Sequence, residues 1–118
     1  MQGDSVRPMT DCIFCKIASG EVPSTIRNES DNFVAFEDLA PVADTHLLVI
    51  PRQHHTDFDA WVAAGGHSTE LLEFVAATAS KAGVAGRYRL ITNVGSDAGQ
   101  AVFHFHWHII AGTNIPGF

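Results

Sequence analysis

The seven-residue stretch His104–Ile110, with the sequence HFHWHII, constrains the fold more than any other part of the chain. Its three histidines occupy every second position, and large apolar side chains lie between them. Successive side chains of a β-strand point to opposite faces, so a strand here would place the imidazoles on one face and the apolar groups on the other. Aromatic and β-branched residues also favour a strand over a helix. The stretch therefore predicts a strand that carries a row of imidazoles.

A row of three imidazoles needs partners. Burying them without hydrogen bonds would cost desolvation free energy. Histidine is also the usual acid–base and metal-binding side chain near neutral pH. We therefore expect the row to face a cavity, a metal ion or an anion, rather than to consist of ordinary core histidines bonded to backbone.

Composition limits the class of protein. The chain has 118 residues, which suits one domain with one modest core. Its hydrophobic fraction of 46% and charged fraction of 17% exclude a disordered chain. The net charge of -6 argues against a nucleic-acid partner, because binding to phosphate backbones needs clustered Lys and Arg. A small anionic ligand remains compatible with this charge.

The chain ends give two further expectations. No apolar run approaches the roughly 20 residues of a membrane span, and residues 1–8 lack the apolar core of a signal peptide. We therefore expect a cytoplasmic protein without a membrane partner. Met9-Thr10-Asp11 resembles a natural start, so residues 1–8 are predicted to be a disordered extension and residues 9–118 a single domain.

Three other stretches have the pattern of strands. Ser24–Arg27 and Phe33–Glu37, separated by the turn-rich residues 28–32, predict a hairpin. The nearly continuous apolar run Thr45–Pro51 predicts a central strand covered on both faces. Tyr88–Asn93 predicts a further strand.

One stretch has the pattern of a long helix. Ser68–Ala82 has Ser68 or Thr69 as a candidate N-cap, and Gly83 and Gly86 follow its end. Shorter helical turns are predicted at Cys12–Ile17 and allowed within residues 56–66. The predicted buried stripe of the main helix is Leu71, Leu72, Val75, Ala79 and Ala82.

The pair Cys12 and Cys15 has three interpretations. It could be a redox dithiol, two unrelated thiols or half of a zinc site. No thioredoxin-like βαβ pattern surrounds the pair, and histidines are abundant, so zinc is the favoured interpretation. Either His54 or His55 could supply a third ligand.

Two polar features lie between the predicted elements. Asp38 directly follows a strand, where its carboxylate could cap a turn or accept hydrogen bonds from sugar hydroxyls; composition alone favours the cap. The segment 93–103 contains Gly95 and Gly99, whose backbone freedom would allow successive N–H groups to form a nest for phosphate oxygens. Ordinary turn chemistry explains the same residues, but the segment leads directly to His104.

The alternating histidines resemble the signature of the histidine-triad (HIT) nucleotide hydrolases and transferases. The resemblance includes further blocks in the expected order across residues 12–112. It is closest to the small phosphoramidase-type branch, and the retained Cys pair is similar to its bacterial members. The blocks are CIFCKI from Cys12, Phe36-Glu37-Asp38 before Pro41, Thr45–Pro51, and the segments 93–97 and 99–100.

This resemblance implies a fold and an activity. The fold would be α+β, with a five-stranded antiparallel sheet, one main helix and a short N-terminal helix, paired as a homodimer. The activity would be hydrolysis or transfer of nucleotidyl groups at the α-phosphorus of purine nucleotides. Adenosine phosphoramidates, aminoacyl adenylates and dinucleoside polyphosphates are the substrate types that it implies.

The resemblance also implies roles for residues. His106 would be the nucleophile, with its other ring nitrogen held by a backbone carbonyl. His108 would contact the phosphate and leaving group, and His46 would support the row. Asp38 would bind ribose hydroxyls, which reverses the preference for a cap. The base would be held by Ile13, Phe14, Ile17, Phe36 and Leu39, and the phosphate by Asn93 together with the backbone of Gly99, Gln100 and Ala101.

For the metal, the family pattern implies structural zinc on Cys12, Cys15, His54 and His104, and no organic cofactor. Ala101 departs from the family pattern, because many members have a hydroxyl residue there. The principal alternative is therefore a non-catalytic nucleotide-binding or interaction protein that keeps the fold. A metallohydrolase that uses the histidine row as ligands is disfavoured, because the carboxylate ligands and spacing of an open site are missing.

Overall fold

The computed structural model describes residues 11–115, so the predicted extension over residues 1–8 lies outside the described residues. Five strands and three α-helices form the described part, with a short 3₁₀ helix at Ser96–Ala98. The strands are β1 (Ile26–Glu29), β2 (Phe33–Glu37), β3 (Thr45–Pro51), β4 (Arg89–Ile91) and β5 (Trp107–Ala111). The helices are α1 (Ile13–Ala18), α2 (Phe58–Ala63) and α3 (Ser68–Lys81).

The five strands form one antiparallel sheet in the order β1-β2-β3-β5-β4. This confirms the predicted sheet and its main helix. The predicted central strand has the bounds of β3, and all of its residues after Thr45 are buried. β3 therefore lies in the middle of the sheet, with elements covering both of its faces.

The two faces of β3 contact different cores. Leu47 and Val49 pack in the larger core, which includes α3 and Trp61. Leu48 and Ile50 pack on the opposite face with Phe14 and Ile17 of α1. Because Leu48 pairs with His108, the histidine lies on the α1 face of the sheet. This face carries the candidate site.

The apolar residues between the histidines lie on the other face, as predicted. Phe105 and Ile109 are buried in the α3 core, and Trp107 packs against it. The predicted strand nevertheless starts too early, because β5 begins at Trp107. The N–H of Phe105 donates to the carbonyl of His55 at 2.6 Å. This part of the chain is therefore bonded to the loop after β3 rather than to a neighbouring strand.

The main helix differs from prediction in its cap and in one stripe residue. Its N-cap is His67, without a side-chain capping bond, so the prediction of Ser68 or Thr69 was wrong. Leu72 is 60% exposed, because it lies about 100° around the helix from Leu71. The buried face is instead completed by Phe74 and Thr78.

The remaining boundaries shift by a few residues. The predicted strands at Ser24–Arg27 and Tyr88–Asn93 are observed as β1 and β4, and the helical turn allowed within residues 56–66 is α2. None of the helices within residues 11–115 is long and apolar enough to span a membrane.

Candidate active site

His106 has one ring nitrogen bonded to backbone and the other free of protein partners. Its Nδ1 lies 2.7 Å from the carbonyl oxygen of His104. A carbonyl oxygen can only accept, so Nδ1 carries the hydrogen and donates it. Neutral His106 therefore has its lone pair on Nε2, which has no hydrogen-bond partner among residues 11–115. An imidazole nitrogen with a free lone pair can act as a nucleophile.

The surroundings of His106 keep this ring neutral and fixed. The residue is 6% exposed, and burial lowers its pKa, opposed by the hydrogen bond to His104. Phe14 of α1 packs edge-on against the ring, with the ring centres 5.1 Å apart. The hydroxyl of Thr92 donates to the His106 carbonyl at 2.7 Å. Phe14 thus holds the ring of His106, and Thr92 holds its backbone.

A second pair of imidazoles lies beside His106. The Nε2 of His46 on β3 is 2.9 Å from the Nδ1 of His108 on β5. Burial first, and then the neighbouring His106 and His46, lower the pKa of His108 to about 4. The ring centres of His106 and His108 are 5.0 Å apart. Near neutral pH this pair is therefore uncharged and hydrogen-bonded.

The two carboxylate oxygens of Asp38 have different partners. Oδ1 accepts the N–H of Ala40 at 2.9 Å, so it caps the turn after β2. Oδ2 lies 3.3 Å from the Nε2 of His46. The capping interpretation, which the family resemblance had displaced, is therefore correct for Oδ1. Oδ2 remains on the side of the histidines.

A pocket of about 340 Å³ opens between α1 and the histidine row. Its size is within the range of small-ligand sites, and its lining is mostly apolar with a few polar groups, as in such sites. A second cavity of about 300 Å³ lies around Trp61 and Arg52 and contains none of the residues predicted for catalysis or nucleotide binding. The lining of the first pocket is Ile13, Phe14, Ile17, Phe36, Asp38, Leu39, Leu48, Asn93, Gly99, Ala101, Val102, His106 and His108.

Two lining residues were not predicted, and two of the residues predicted for catalysis or nucleotide binding, His46 and Gln100, are not in the lining. Leu48 and Val102 line the pocket. Leu48 could have been found, because it lies two positions after His46 on the same face of β3. His46 is not in the lining, but its Nε2 lies 2.9 Å from the Nδ1 of His108, which is. The side chain of Gln100 is buried elsewhere.

The amide of Gln100 binds three backbone groups. Its Nε2 donates to the carbonyls of Thr56 and Val102 at 2.7 and 3.0 Å, and its Oε1 accepts the N–H of Gly95 at 2.8 Å. Gly95 and Gly99 have φ of 88° and 95°, in the region that favours glycine. Gln100 therefore holds the loop that brings Gly99 and Ala101 to the pocket.

A cluster of four possible metal ligands lies at one end of the histidine row. The ligand atoms of Cys12, Cys15, His54 and His104 all lie within 4.8 Å of one another. Three of the four sulfur-to-Nδ1 distances in the cluster are 3.3, 3.4 and 3.5 Å. Tetrahedral zinc with bonds of about 2.3 Å to sulfur and 2.0–2.1 Å to nitrogen places such atoms roughly 3.5 Å apart.

The surrounding hydrogen bonds also fit a metal. The Nε2 of His104 lies 2.9 Å from the carbonyl of Pro51, so Nε2 carries the hydrogen and the Nδ1 lone pair faces the sulfurs. Burial and the adjacent Cys12 raise the pKa of Cys15 to about 12, and a bound cation would offset the repulsion between two thiolates. His54, and not His55, belongs to the cluster. These four residues could hold a zinc ion.

The comparisons with known proteins agree with this arrangement. The family described as HIT domain matches residues 19–115. An uncharacterised HIT-like protein of Rickettsia prowazekii is 38% identical over 109 residues, which cover 89% of this chain and 90% of the relative.

Two solved structures are similar in both sequence and fold. A histidine triad protein from Clostridium difficile is 40% identical, with a TM-score of 0.81, covering 92% of this chain and 96% of that one. A HIT family hydrolase from Clostridium thermocellum is 36% identical, with a TM-score of 0.78 and the same two coverages. The family resemblance expected from the histidine row and its accompanying motifs is confirmed, and the chain belongs to the HIT domain family.

Proposed function

We propose that the chain is a nucleotidyl hydrolase or transferase that acts at the α-phosphorus of purine nucleotides, with His106 as the nucleophile. The observation that carries this proposal is the hydrogen bond from His106 Nδ1 to the His104 carbonyl, which leaves the Nε2 lone pair free beside the pocket. The family includes a relative described as a hydrolase, which supports an enzymatic activity.

The pocket offers a place for each part of a nucleotide. Apolar side chains from α1 and β2, such as Phe14 and Phe36, would contact the base. Asp38 would accept hydrogen bonds from ribose hydroxyls through Oδ2, because Oδ1 is engaged by the turn. Asn93 and the backbone near Gly99 would hold the phosphate.

The first chemical step would be attack of His106 Nε2 on the α-phosphorus. A nitrogen–phosphorus bond forms, and the bond to the leaving group breaks with its electron pair on the leaving atom, which takes up a proton. The imidazole then carries a positive charge, which the carbonyl of His104 stabilises by accepting from Nδ1. His108 would donate a hydrogen bond to the phosphoryl group or the leaving atom.

Water would complete the reaction. Attack of water on phosphorus breaks the bond to His106 and releases a proton, which balances the proton taken up in the first step. A second nucleophile in place of water would give transfer instead of hydrolysis. His46 would act through His108, since their rings are bonded to each other.

The zinc ligands would be Cys12, Cys15, His54 and His104. A closed site with four protein ligands leaves no open coordination position, so the ion would stabilise the fold. Its contribution to the site would be to fix His104, whose carbonyl orients His106.

The proposal is tested with His106→Asn, and with His67→Asn as a control at an exposed histidine outside the pocket. The substrates are adenosine and guanosine phosphoramidates, adenylated amines and dinucleoside polyphosphates. We expect His106→Asn to lower turnover by about a thousandfold or more while AMP still binds, and the control to retain activity. Alkaline quenching of the wild type followed by mass spectrometry should reveal a nucleotidyl adduct on His106. Undiminished turnover in His106→Asn would refute the proposal.

A second candidate function is a nucleotide-binding protein without catalysis. Ala101 favours it, because the pocket wall lacks a hydroxyl at that position. This alternative predicts that the wild type binds AMP but turns over none of the substrate panel.

Three further expectations remain predictions. They are the homodimer, the cytoplasmic location and the division into an extension at residues 1–8 and a domain at 9–118. Sedimentation velocity of the full chain would test the first of them.

A further inference from the structure

The backbone N–H of Val42 donates a hydrogen bond to the Nδ1 of His46 at 3.1 Å. Val42 lies in the turn between β2 and β3, directly after Pro41. Its side chain is 51% exposed and belongs to neither apolar core. What this residue contributes to the site is therefore its amide.

The rest of the turn holds this amide in place. The N–H of Asp38 donates to the carbonyl of His46 at 3.0 Å, which closes the base of the turn. The Oδ1 of Asp38 accepts the N–H of Ala40 at 2.9 Å within it. The bond from Val42 to His46 is thus the second of two bonds from the turn to His46, and the bond from Ala40 holds the turn internally.

This bond determines which nitrogen of His46 carries the hydrogen. An N–H group can donate only to a lone pair, so Nδ1 of neutral His46 is unprotonated and Nε2 bears the hydrogen. That Nε2 lies 2.9 Å from Nδ1 of His108 and 3.3 Å from Oδ2 of Asp38. His46 is therefore the donor in the bond between the two imidazoles.

The direction of that bond fixes His108 in turn. Its Nδ1 accepts from His46, so neutral His108 bears its hydrogen on Nε2. This nitrogen has no hydrogen-bond partner among residues 11–115, and the ring lines the pocket beside His106. Burial lowers the pKa of both His46 and His108, which favours these neutral forms near pH 7.

We propose that the Val42 backbone amide is a positioning group that fixes the tautomer of His46 and thereby presents an N–H, rather than a lone pair, from His108 to the pocket. A lone pair at this position would repel the oxygens of a phosphate, whereas an N–H attracts them. The catalytic consequence rests on the proposed function, but the tautomers do not.

The same bond disfavours a second metal site. The ligand atoms of Asp38, His46 and His108 lie within 4.8 Å of one another, as in a site with two histidines and one carboxylate. A cation would need the Nε2 lone pair of His46, which would move the hydrogen to Nδ1 against the N–H of Val42. The arrangement therefore favours hydrogen bonds from Val42 to His46 and from His46 to His108 over a bound cation.

Long-range ¹H–¹⁵N NMR of the histidine rings tests the tautomers directly. In the zinc-loaded wild type at pH 7.5, we expect the hydrogen on Nε2 in both His46 and His108, and on Nδ1 in His106. A hydrogen on Nδ1 of His46 would overturn the inference. This measurement needs no variant, so it decides the question even where a substitution disturbs the turn.

The matched variants are Val42→Pro, which removes the amide hydrogen, and Val42→Ala, which keeps it. We expect V42A to retain the wild-type tautomers and V42P to gain the Nδ1–H form of His46. V42P should also have a kcat at least tenfold below that of V42A. Wild-type tautomers in V42P, or equal kcat in the two variants, would refute the positioning role.

The outcomes separate this inference from the proposed function. If the wild type has the expected tautomers but turns over no nucleotide, the proposed function fails and the tautomer assignment stands. If it turns over nucleotides with His46 in the Nδ1–H form, the proposed function stands and the positioning role fails.

Discussion

The Nδ1 atom of His106 lies 2.7 Å from the carbonyl oxygen of His104, so the ring beside the pocket is held by the backbone of a residue in the metal-ligand cluster. The ring of His104 is in turn held from two sides. Its Nε2 lies 2.9 Å from the carbonyl of Pro51, and its Nδ1 lies 3.3 Å from the sulfur of Cys12. A substitution in the cluster that displaces His104 should therefore also displace the ring of His106.

The neighbouring histidines 54 and 55 allow a matched test of the metal cluster. His54 belongs to the cluster and His55 does not. We expect His54→Gln to bind zinc at least tenfold more weakly, to melt about 5 °C or more below the wild type, and to lose activity. Metal analysis by mass spectrometry and thermal unfolding measure the first two effects.

His55→Gln is the control, since the bond from Phe105 involves only its backbone carbonyl. It should keep its zinc. Cys12→Ser should behave like His54→Gln. Unchanged zinc content in Cys12→Ser and His54→Gln would contradict the four-ligand assignment.

Gln100 is predicted to stabilise the loop below the pocket. Replacing this buried side chain with Ala removes three part-buried hydrogen bonds to the backbone, which together should cost about 1–3 kcal/mol. Urea unfolding of Gln100→Ala should show this loss. Gln53→Ala, at an exposed glutamine, should change the free energy of unfolding by less than about 0.5 kcal/mol. Equal stability of the two variants would mean that the amide bonds contribute nothing measurable.

The alternation of residues predicted the faces of the histidine row but not the start of its strand. Side-chain direction follows from local backbone geometry, so period-2 spacing was sufficient to place Phe105 and Ile109 in the core. The strand boundary depends on a partner. His104 and His106 precede β5 because the intervening Phe105 bonds to His55, and such a contact between distant segments has no local signal.

Residue type was also insufficient to predict hydrogen-bond partners where one side chain has several polar atoms. Asp38 had two interpretations: its Oδ1 caps the turn, as one of them predicted, whereas its Oδ2 lies beside His46 and the binding of ribose hydroxyls stays a prediction. Gln100 was expected to hold phosphate through its backbone, and this stays a prediction, but nothing indicated that its side-chain amide would bind the backbone of Thr56, Val102 and Gly95. The family pattern located both residues near the site. Their hydrogen-bond partners required the fold.

The free energy of unfolding should fall in acid because of His108. Its pKa of about 4 in the folded protein lies below the ordinary value of 6.5, so the unfolded chain binds more protons between these pH values. The contribution of neutral His108 to the free energy of unfolding is therefore complete above about pH 6.5 and is lost as the pH falls towards 4. His108→Gln should reduce the slope of the free energy of unfolding against pH. The reduction corresponds to up to one proton, which is about 1.4 kcal/mol per pH unit.

Urea unfolding in zinc-containing buffers from pH 7.5 to 4.5 checks this prediction. Comparing each protein with its own value at pH 7.5 removes the effect of contacts that the substitution itself deletes. An equally steep decline in His108→Gln and the wild type would show that other groups are responsible.

Ala101 lines the pocket at the position where the family resemblance led us to expect a hydroxyl residue, so Ala101→Ser should increase activity. The position is exposed, and a serine hydroxyl there could donate to a phosphate oxygen. One such hydrogen bond contributes about 0.5–1.5 kcal/mol, which corresponds to a rise in kcat/KM of roughly two- to tenfold. Ala98→Ser, an exposed position outside the pocket lining, should leave kcat/KM within twofold of the wild type. His106 and His108 already line this pocket. An unchanged or lower kcat/KM in Ala101→Ser would therefore show that the two histidines position the phosphate without help from a hydroxyl at position 101.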